Sequence, residues 1–243
     1  MEKKEQQFSD FIEAAAHDLH APLRKLSVLI SKVFSQQASH FDEKSKDYIQ
    51  RIEGCIEQMR SLINGLTELA LAGPGNTHLE HCDLNVIVQQ ALRGIDEEIK
   101  DKNAKVMVAP LPVVQGNIVQ YQQLFKNLLE NANKFSKKGV PLEIDIAEEL
   151  ITEEDKKYFD LLPKNKYHRI EVRDNGIGFN QAYAEKIFEP FFRLHSKAEF
   201  DGNGLGLTIC KKIVANHYGI IYAKGTENVG SRFILFLPEN PKP

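Results

Sequence analysis

The chain has no tryptophan and only three cysteines among its 243 residues. Cys55, Cys82 and Cys210 lie far apart with no CxxC pair, which argues against a disulfide framework and a zinc cluster; they read as reduced packing residues. A long apolar run is also missing. Nothing approaches the roughly 18–20 apolar residues that cross a bilayer, and the N-terminus MEKKEQQ lacks a signal peptide's apolar stretch. The expectation is a cytoplasmic chain, whether or not a longer parent protein is membrane-tethered. Neither sign of charge dominates: 31 basic against 34 acidic residues leave a formal net charge of −3. No polyanion-binding surface is expected, and nucleic acid is not an expected partner.

What is present divides into two segments of different periodicity, within a length that suits one large domain or two small ones. From Phe8, apolar residues recur at Ile12, Ala15, Leu19, Pro22, Leu26, Leu29 and Val33, the alternating four-three spacing of a coiled-coil or bundle stripe. After the polar break SQQASHFDEKS the spacing resumes at Tyr48, Ile52, Cys55, Met59, Leu62, Leu66 and Leu69. Two such helices joined by a short loop predict an antiparallel hairpin over 1–72. A lone hairpin cannot cover both stripes, so a second copy is expected to complete a four-helix bundle, which makes the chain a homodimer.

The two glycines and proline of AGPGNTH (72–78) predict a linker over 73–80. Beyond it, over 81–243, helical stretches near 85–101, 118–135 and 205–217 alternate with strand-like runs at 105–109, 142–148, 168–173, 219–224 and 231–237. That grammar predicts an α+β two-layer sandwich with the helices on one face of a sheet. The polar stretch 148–168 reads as a long hairpin excursion without chemistry of its own.

Four short segments carry the chemistry, in the order AAAHDLHAPL (14–23), NLLENANKFS (127–136), DNGIGF (174–179) and GNGLGL (202–207). In the first, the stripe through Ile12, Ala15, Leu19 and Leu26 turns His17 toward solvent. An exposed helical histidine is ordinarily mere surface, but Asp18 follows directly and can accept a proton from one ring nitrogen, leaving the other with a free lone pair. Pro22 removes a helical hydrogen bond and predicts a kink about one turn past His17. His20 falls on a different face and reads as a surface residue. In the second segment, Asn127, Asn131 and Lys134 share one helical face. Such amides are commonly only solvated, yet the oxygen of Asn131 together with phosphates is a reasonable Mg²⁺ site, and Lys134 can neutralise phosphate charge.

DNGIGF follows the strand-like HRIEVR, which puts Asp174 at a strand end and Gly176 and Gly178 in a turn. A carboxylate there can accept from the exocyclic amine of adenine; the competing reading is a plain hairpin turn. In GNGLGL, Gly202, Gly204, Leu205 and Gly206 open an apolar helix whose free N–H groups favour an anion. No strand of a βαβ unit leads into it, so it is not a dinucleotide fingerprint. Between the two glycine boxes, FEPFFRLHSKAEFDGN (188–203) reads as a lid packed down by Phe188, Phe191 and Phe192, with Arg193 in reach of phosphate.

HDLHAPLRKL resembles the phosphoacceptor box of sensor histidine kinases, and in particular that of phytochrome-like members. The resemblance implies that His17 takes the γ-phosphoryl group of ATP and that Asp18 is the general base. Where that family has a Thr or Asn four residues after the histidine, linked to hydrolysis of the phosphorylated partner, this chain has Ala21, and weak phosphatase activity is the expectation. The remaining boxes resemble the ATP-binding domain of histidine kinases, with the Bergerat fold shared by gyrase-type, MutL-type and chaperone ATPases. The resemblance runs from about Phe8 to Leu237. It implies Asp174 on adenine, Asn131 on Mg²⁺, Asn127 and Lys134 near the phosphates, and an aspartate of a response regulator as the final acceptor. An upstream sensor domain or protein is expected outside this chain.

Three other readings share parts of this pattern. ATP-hydrolysing clamps of the same fold carry a glutamate four residues before the metal asparagine and an aspartate three after it, where this chain has Asn127 and Lys134; water activation is therefore poorly supported. A serine kinase of the anti-sigma type would lack the hairpin. A non-catalytic dimerisation scaffold would not need complete nucleotide boxes.

Overall fold

The computed structural model describes residues 2–37, 41–73, 79–95, 99, 102, 104–153, 155, 166–195, 199–200 and 202–241. It divides into two compact units, Met1–Gly75 and Asn76–Pro243. The centre of the expected linker, the middle of the 148–168 excursion, the tail of the 85–101 helix and part of the lid lie outside the described residues.

The first unit is two antiparallel helices, α1 (Glu2–Gln37) and α2 (Glu43–Leu71). α1 runs through Pro22 as one helix. α2 starts where the Asp42 carboxylate accepts from the Ser45 N–H at 2.8 Å, a side-chain cap that also holds the Asp42 carboxyl below its ordinary pKa. Between the helices, Ala16, Leu23, Ile56 and Ile63 are buried, with Ile30 packed against them. The Arg60 guanidinium adds a cross-helix bond to the Ser27 hydroxyl at 2.9 Å.

This core corrects the sequence reading. Ala16, Leu23 and Ile30 recur every seven residues, each one position past the expected stripe residues Ala15, Pro22 and Leu29; Ile56 and Ile63 stand in the same relation to Cys55 and Leu62. The expected stripe itself is largely open: Leu19 is 52% exposed, Leu29 59%, Val33 50% and Ile52 47%. Each helix is apolar over a wider arc than one neighbour can cover, so the hairpin contact takes one edge of that arc and leaves the rest outside.

The second unit opens with β1 (Glu80–Asp83), α3 (Leu84–Gly94), β2 (Lys105–Val108), β3 (Val113–Gly116) and α4 (Ile118–Lys134). It continues through β4 (Glu143–Glu149), β5 (Tyr167–Asp174), α5 (Gly206–Asn216), β6 (Ile220–Thr226) and β7 (Gly230–Pro238). Five strands form one sheet in the order β2-β4-β5-β7-β6, with β2 and β4 parallel and the rest antiparallel. β1 and β3 pair separately as a two-stranded antiparallel ribbon. That ribbon was not expected: four residues are too few to display a period of two.

Register aligns Ile146, Val172, Phe233 and Ala223 across four strands, and Ile170, Leu235 and Ile221 across three. This apolar face and the buried sides of α3, α4 and α5 make the core. α4 packs on both of its neighbours, and Tyr121, Leu124, Phe125, Leu128 and Leu129 are fully buried. On β4 and β5 the opposite sheet face is charged, while β7 adds Ile234 and Phe236 to it. Arg173 pairs with Glu149, Glu171 and Asp145, and Arg169 pairs with Glu171 and, at 3.2 Å, with Asp155. Glu171 and Asp155 are buried, so these charges persist only because they are paired. The outer edge of β6 is covered by Gln181, whose amide donates to the Ala223 carbonyl and accepts from the Gly225 N–H. No described helix is long and apolar enough to cross a membrane.

Glu171 is shared by two arginines. Glu171→Ala, which leaves Arg169 with Asp155 and Arg173 with Glu149 and Asp145, is expected to lower the unfolding free energy by about 1.5–3 kcal/mol, read as a fall in the urea midpoint at an unchanged slope.

Candidate functional site

In the hairpin unit, His17 and Asp18 project from α1 beside the buried Ala16, with side chains 88% and 87% exposed. His17 Nδ1 lies 3.4 Å from Asp18 Oδ1. The acid therefore addresses Nδ1, and Nε2 is the nitrogen left for bond formation. His20, expected on the surface, is half-buried.

In the second unit the remaining candidates gather around the C-terminal half of α4. The Asn117 side chain caps that helix by accepting from the Gln120 N–H at 3.0 Å. The helix presents Asn127, Asn131 and Lys134 at successive turns, and Asn127 is buried, with its amide donating to the Gly206 carbonyl at 3.4 Å. This bond joins the middle of α4 to the first residue of α5. Lys134 reaches the other glycine box: a Cβ on Gly202 would stand 2.5 Å from its Nζ. The ammonium also lies 4.7 Å from the centre of the Phe135 ring.

Asn131 tests whether a metal or phosphate fits here. Its Nδ2 is buried with no hydrogen-bond partner among the described residues. A buried unpaired amide costs about 1–3 kcal/mol unless something else satisfies it. A phosphate oxygen beside Asn131 would accept from that N–H, and the amide oxygen is the hard donor that Mg²⁺ prefers. The residues present thus fit a Mg²⁺–phosphate group, with Asn131 as protein ligand and Lys134 and the amide of Asn127 next to it.

Asp174 ends β5. Its Oδ1 accepts from the Gly176 N–H at 2.8 Å and from the Ser231 N–H at 3.2 Å. Burial pushes its carboxyl pKa up, against the downward pull of those bonds and of nearby Lys137. Ser231, at the start of β7, escaped the sequence reading because the sheet register alone brings it opposite Asp174. The turn is fastened on two sides: the Ile177 N–H donates to the Phe135 carbonyl at 2.9 Å, and the Asn228 N–H to the Ile177 carbonyl at 2.6 Å.

These ties revise the role expected of the glycines. A Cβ on Gly176 would come within 2.5 Å of the Phe135 carbonyl oxygen, and Gly178, at φ +65°, would drive one into the Thr226 carbonyl. Both positions are small because the turn is squeezed between α4 and the β6–β7 hairpin, so the fold alone requires glycine there, whatever binds.

Gly204, at φ +72°, lies against the main chain of Phe191 and Phe192, and its carbonyl accepts from the Phe191 N–H. Leu205 is fully buried and its N–H is taken by the Asn203 side chain at 3.0 Å. Among the described residues no side-chain cap is formed at the Leu205 N-cap of α5, which leaves the N–H groups of its first turn without that competition. Thr208, in that turn, has a buried hydroxyl without a partner among the described residues, which the sequence reading also missed. Arg193, expected to reach phosphate, instead donates to the Phe200 carbonyl within the lid segment. Phe200 and His195 pack on Phe135, at 5.0 and 6.1 Å between ring centres. A hollow of about 620 Å³ opens on this side between Ile177, Tyr183, His195, Phe200 and Glu227.

Comparison with known proteins agrees with this geometry. Residues 116–241 match the family described as histidine kinase-, DNA gyrase B-, and HSP90-like ATPase. The phytochrome-like protein Cph1 of Synechocystis sp. is 30% identical over 238 residues, covering 98% of this chain and 30% of Cph1. The chain thus spans a little under a third of that relative's length. Full-length ShkA in complex with AMPPNP has the same fold, with a TM-score of 0.66 at 20% identity over 94% of this chain and 45% of ShkA. So has histidine kinase ThkA in complex with response regulator protein TrrA, with a TM-score of 0.61 at 22% identity over 99% of this chain and 65% of that one. With the α4–α5 site and its flanking turn inside the matched span, the chain belongs to the histidine kinase-, DNA gyrase B- and HSP90-like ATPase family, as a histidine kinase catalytic core.

Proposed function

We propose that this chain is the ATP-dependent autokinase core of a two-component system: residues 81–243 bind Mg·ATP, and the hairpin of residues 1–72 carries the acceptor His17. One observation carries the reading. On one face of α4, Asn127 meets Gly206 and Lys134 meets Gly202, with the Asn131 amide nitrogen between them buried and unpaired among the described residues, while an imidazole 88% exposed, with an adjacent carboxylate, stands on a separate unit.

Adenine is held through Asp174, whose Oδ1 is pinned by two main-chain donors. The Asn131 amide oxygen would hold Mg²⁺, which would screen the phosphate charge. Asn127, Lys134 and the first turn of α5 position the phosphates; Gly176, Gly178, Gly202, Gly204 and Leu205 shape the walls, and Arg193 belongs to the lid. His17 Nε2 attacks the γ-phosphorus: the N–P bond forms, the P–O bond to the ADP leaving group breaks, and Asp18 takes the proton from Nδ1. Positioning and charge stabilisation supply most of the catalysis in such transfers. The linker around 73–80 lets the ATP-binding unit reach His17. The phosphoryl group then passes to an aspartate of a response regulator; the ThkA–TrrA complex supports a partner of that kind. Ala21 offers no hydrogen bond to a hydrolytic water, so phosphatase activity toward that partner is weak. A sensor domain or protein outside this chain supplies the signal, and the core works in the cytoplasm.

Incubation with γ-labelled ATP and Mg²⁺ should give acid-labile, alkali-stable label in the wild type and none in His17→Gln. Absence of label alongside steady release of free phosphate would favour a clamp-type ATPase, and ATP binding with neither would favour a scaffold.

The acid dependence follows from Asp174. Its carboxylate must be ionised to accept from adenine, and its pKa is raised, so nucleotide affinity should fall at a pH above the ~3.9 of an ordinary aspartate. For the fold the sign is opposite: the stabilising contribution of this raised group is complete at low pH and is lost as pH rises through its folded value. Asp174→Asn should weaken ADP binding roughly 10- to 100-fold, the range of a hydrogen bond to a charged group, and flatten the acid limb of an affinity–pH profile.

The open seam of Leu19, Leu26, Leu29, Val33, Ile52 and Met59 supports a homodimeric four-helix bundle. Leu26→Lys, placed in that seam, should shift the protein from dimer to monomer in sedimentation analysis while leaving nucleotide affinity unchanged.

A further inference from the structure

We propose that His217, which no part of the nucleotide reading uses, is a positioning residue: it latches the far ends of α4 and α5 and thereby holds the register that brings Asn127 to Gly206. The proposal rests on the nucleotide site assigned above to those helices.

His217 follows α5 and is fully buried. Its Nδ1 lies 2.8 Å from the Ile213 carbonyl, and its Nε2 accepts from the main-chain N–H of Asn117 at 2.9 Å. A carbonyl can only accept and an N–H can only donate, so the ring has one consistent state: neutral, with the proton on Nδ1. Asn117 is the residue that caps α4. One imidazole therefore joins the C-terminus of α5 to the N-terminus of α4, with each of its two ring nitrogens bonded to main chain.

The ring is clamped as well as bonded. Tyr121 of α4 stacks on it with ring centres 4.3 Å apart and planes 27° apart. The opening for it exists because residue 116 is glycine: a Cβ there would come 2.9 Å from His217 Cδ2 and collide with the Tyr121 ring. The titratable groups around the latch are the Tyr121 phenol and, beyond it, the Cys82 thiol, both pushed upward by burial and so both neutral. Among the described residues, no carboxylate or cation faces the ring to favour its charged form, and burial lowers its pKa.

The two helices touch the nucleotide site at their other ends. Asn127 is ten residues from Asn117 along α4, and Gly206 eleven from His217 along α5, about 15 Å in each case. His217–Asn117 joins the C-terminus of α5 to the N-terminus of α4, Asn127–Gly206 joins the start of α5 to the middle of α4, and between them the Cys210 thiol donates to the Leu124 carbonyl at 3.7 Å. With the latch gone, α5 can slide or rotate on the apolar surface between, and the glycine turn loses its alignment with Asn127.

Imidazole ¹⁵N shifts of the whole chain come first: a protonated Nδ1 with an unprotonated Nε2 at neutral pH is expected, and the other tautomer or a doubly protonated ring overturns the proposal. ADP affinity is then compared in wild type, His217→Phe and His217→Gln, at a temperature where thermal unfolding shows each folded. Phe keeps the stacking and removes both hydrogen bonds; Gln places an acceptor oxygen where Nε2 stood. The expected result is at least about fivefold weaker binding in His217→Phe, the lower bound of ordinary site-to-site coupling, with substantial recovery in His217→Gln. Binding unchanged in folded His217→Phe, or equally impaired in both variants, overturns the latch and leaves the nucleotide site standing. No ADP binding by the wild type overturns the nucleotide reading, and the latch with it.

Discussion

The hydrogen bond from the Ile177 N–H to the Phe135 carbonyl is the contact on which the rest of the second unit's site depends. It closes the C-terminus of α4 against the turn leaving β5, and so sets Asp174 beside the helix that carries Asn127, Asn131 and Lys134. Helix ends leave carbonyls without partners, and a turn arriving with a free N–H satisfies one while fixing its own position. The approach is close enough that residue 176 can have no side chain. The same turn is held from its other side by Asn228 of the β6–β7 hairpin, so helix, turn and sheet meet at one place.

Around that junction the fold divides its tasks. The sheet's apolar face and three helices supply the burial, and the opposite face spends its polarity on paired charges around Glu171 and Arg173. Near the glycine boxes, the Asn131 amide nitrogen and the Thr208 hydroxyl are buried without hydrogen-bond partners among the described residues, as are His168 Nε2 and Arg169 Nε on β5. Buried polar groups are overwhelmingly paired in native proteins, so the two at the end of α4 and the start of α5 are places where a polar ligand has something to gain.

The hairpin obeys a different constraint. Its helices touch through residues that recur every seven positions, Ala16, Leu23 and Ile30 against Ile56 and Ile63, and this seam is narrow. The broader apolar stripes beside it remain open to solvent in the single chain. His17 sits on neither seam, one residue beyond Ala16, which explains how a residue inside a packed helix keeps its ring almost wholly accessible.

Much of this was legible from residue order alone. Helical and strand periods placed every strand of the main sheet, and the Asn-rich helix and the two glycine turns stood out because their chemistry is local. The ribbon of β1 and β3 was not legible, nor was the hairpin seam, because which edge of a wide apolar stripe is covered depends on the partner helix rather than on the stripe. Ser231 beside Asp174, His217 on Asn117 and the Gln181 amide on β6 are separated by 57, 100 and 42 residues from what they touch. By itself, then, the sequence determined the strands of the main sheet, the exposure of His17 and the shared face of Asn127, Asn131 and Lys134, since these follow from spacing along one helix or one strand. Only the tertiary structure decided which groups are satisfied, which glycines the fold requires and how α4 and α5 are registered, because hydrogen bonds and close approach between distant segments leave no period in the chain.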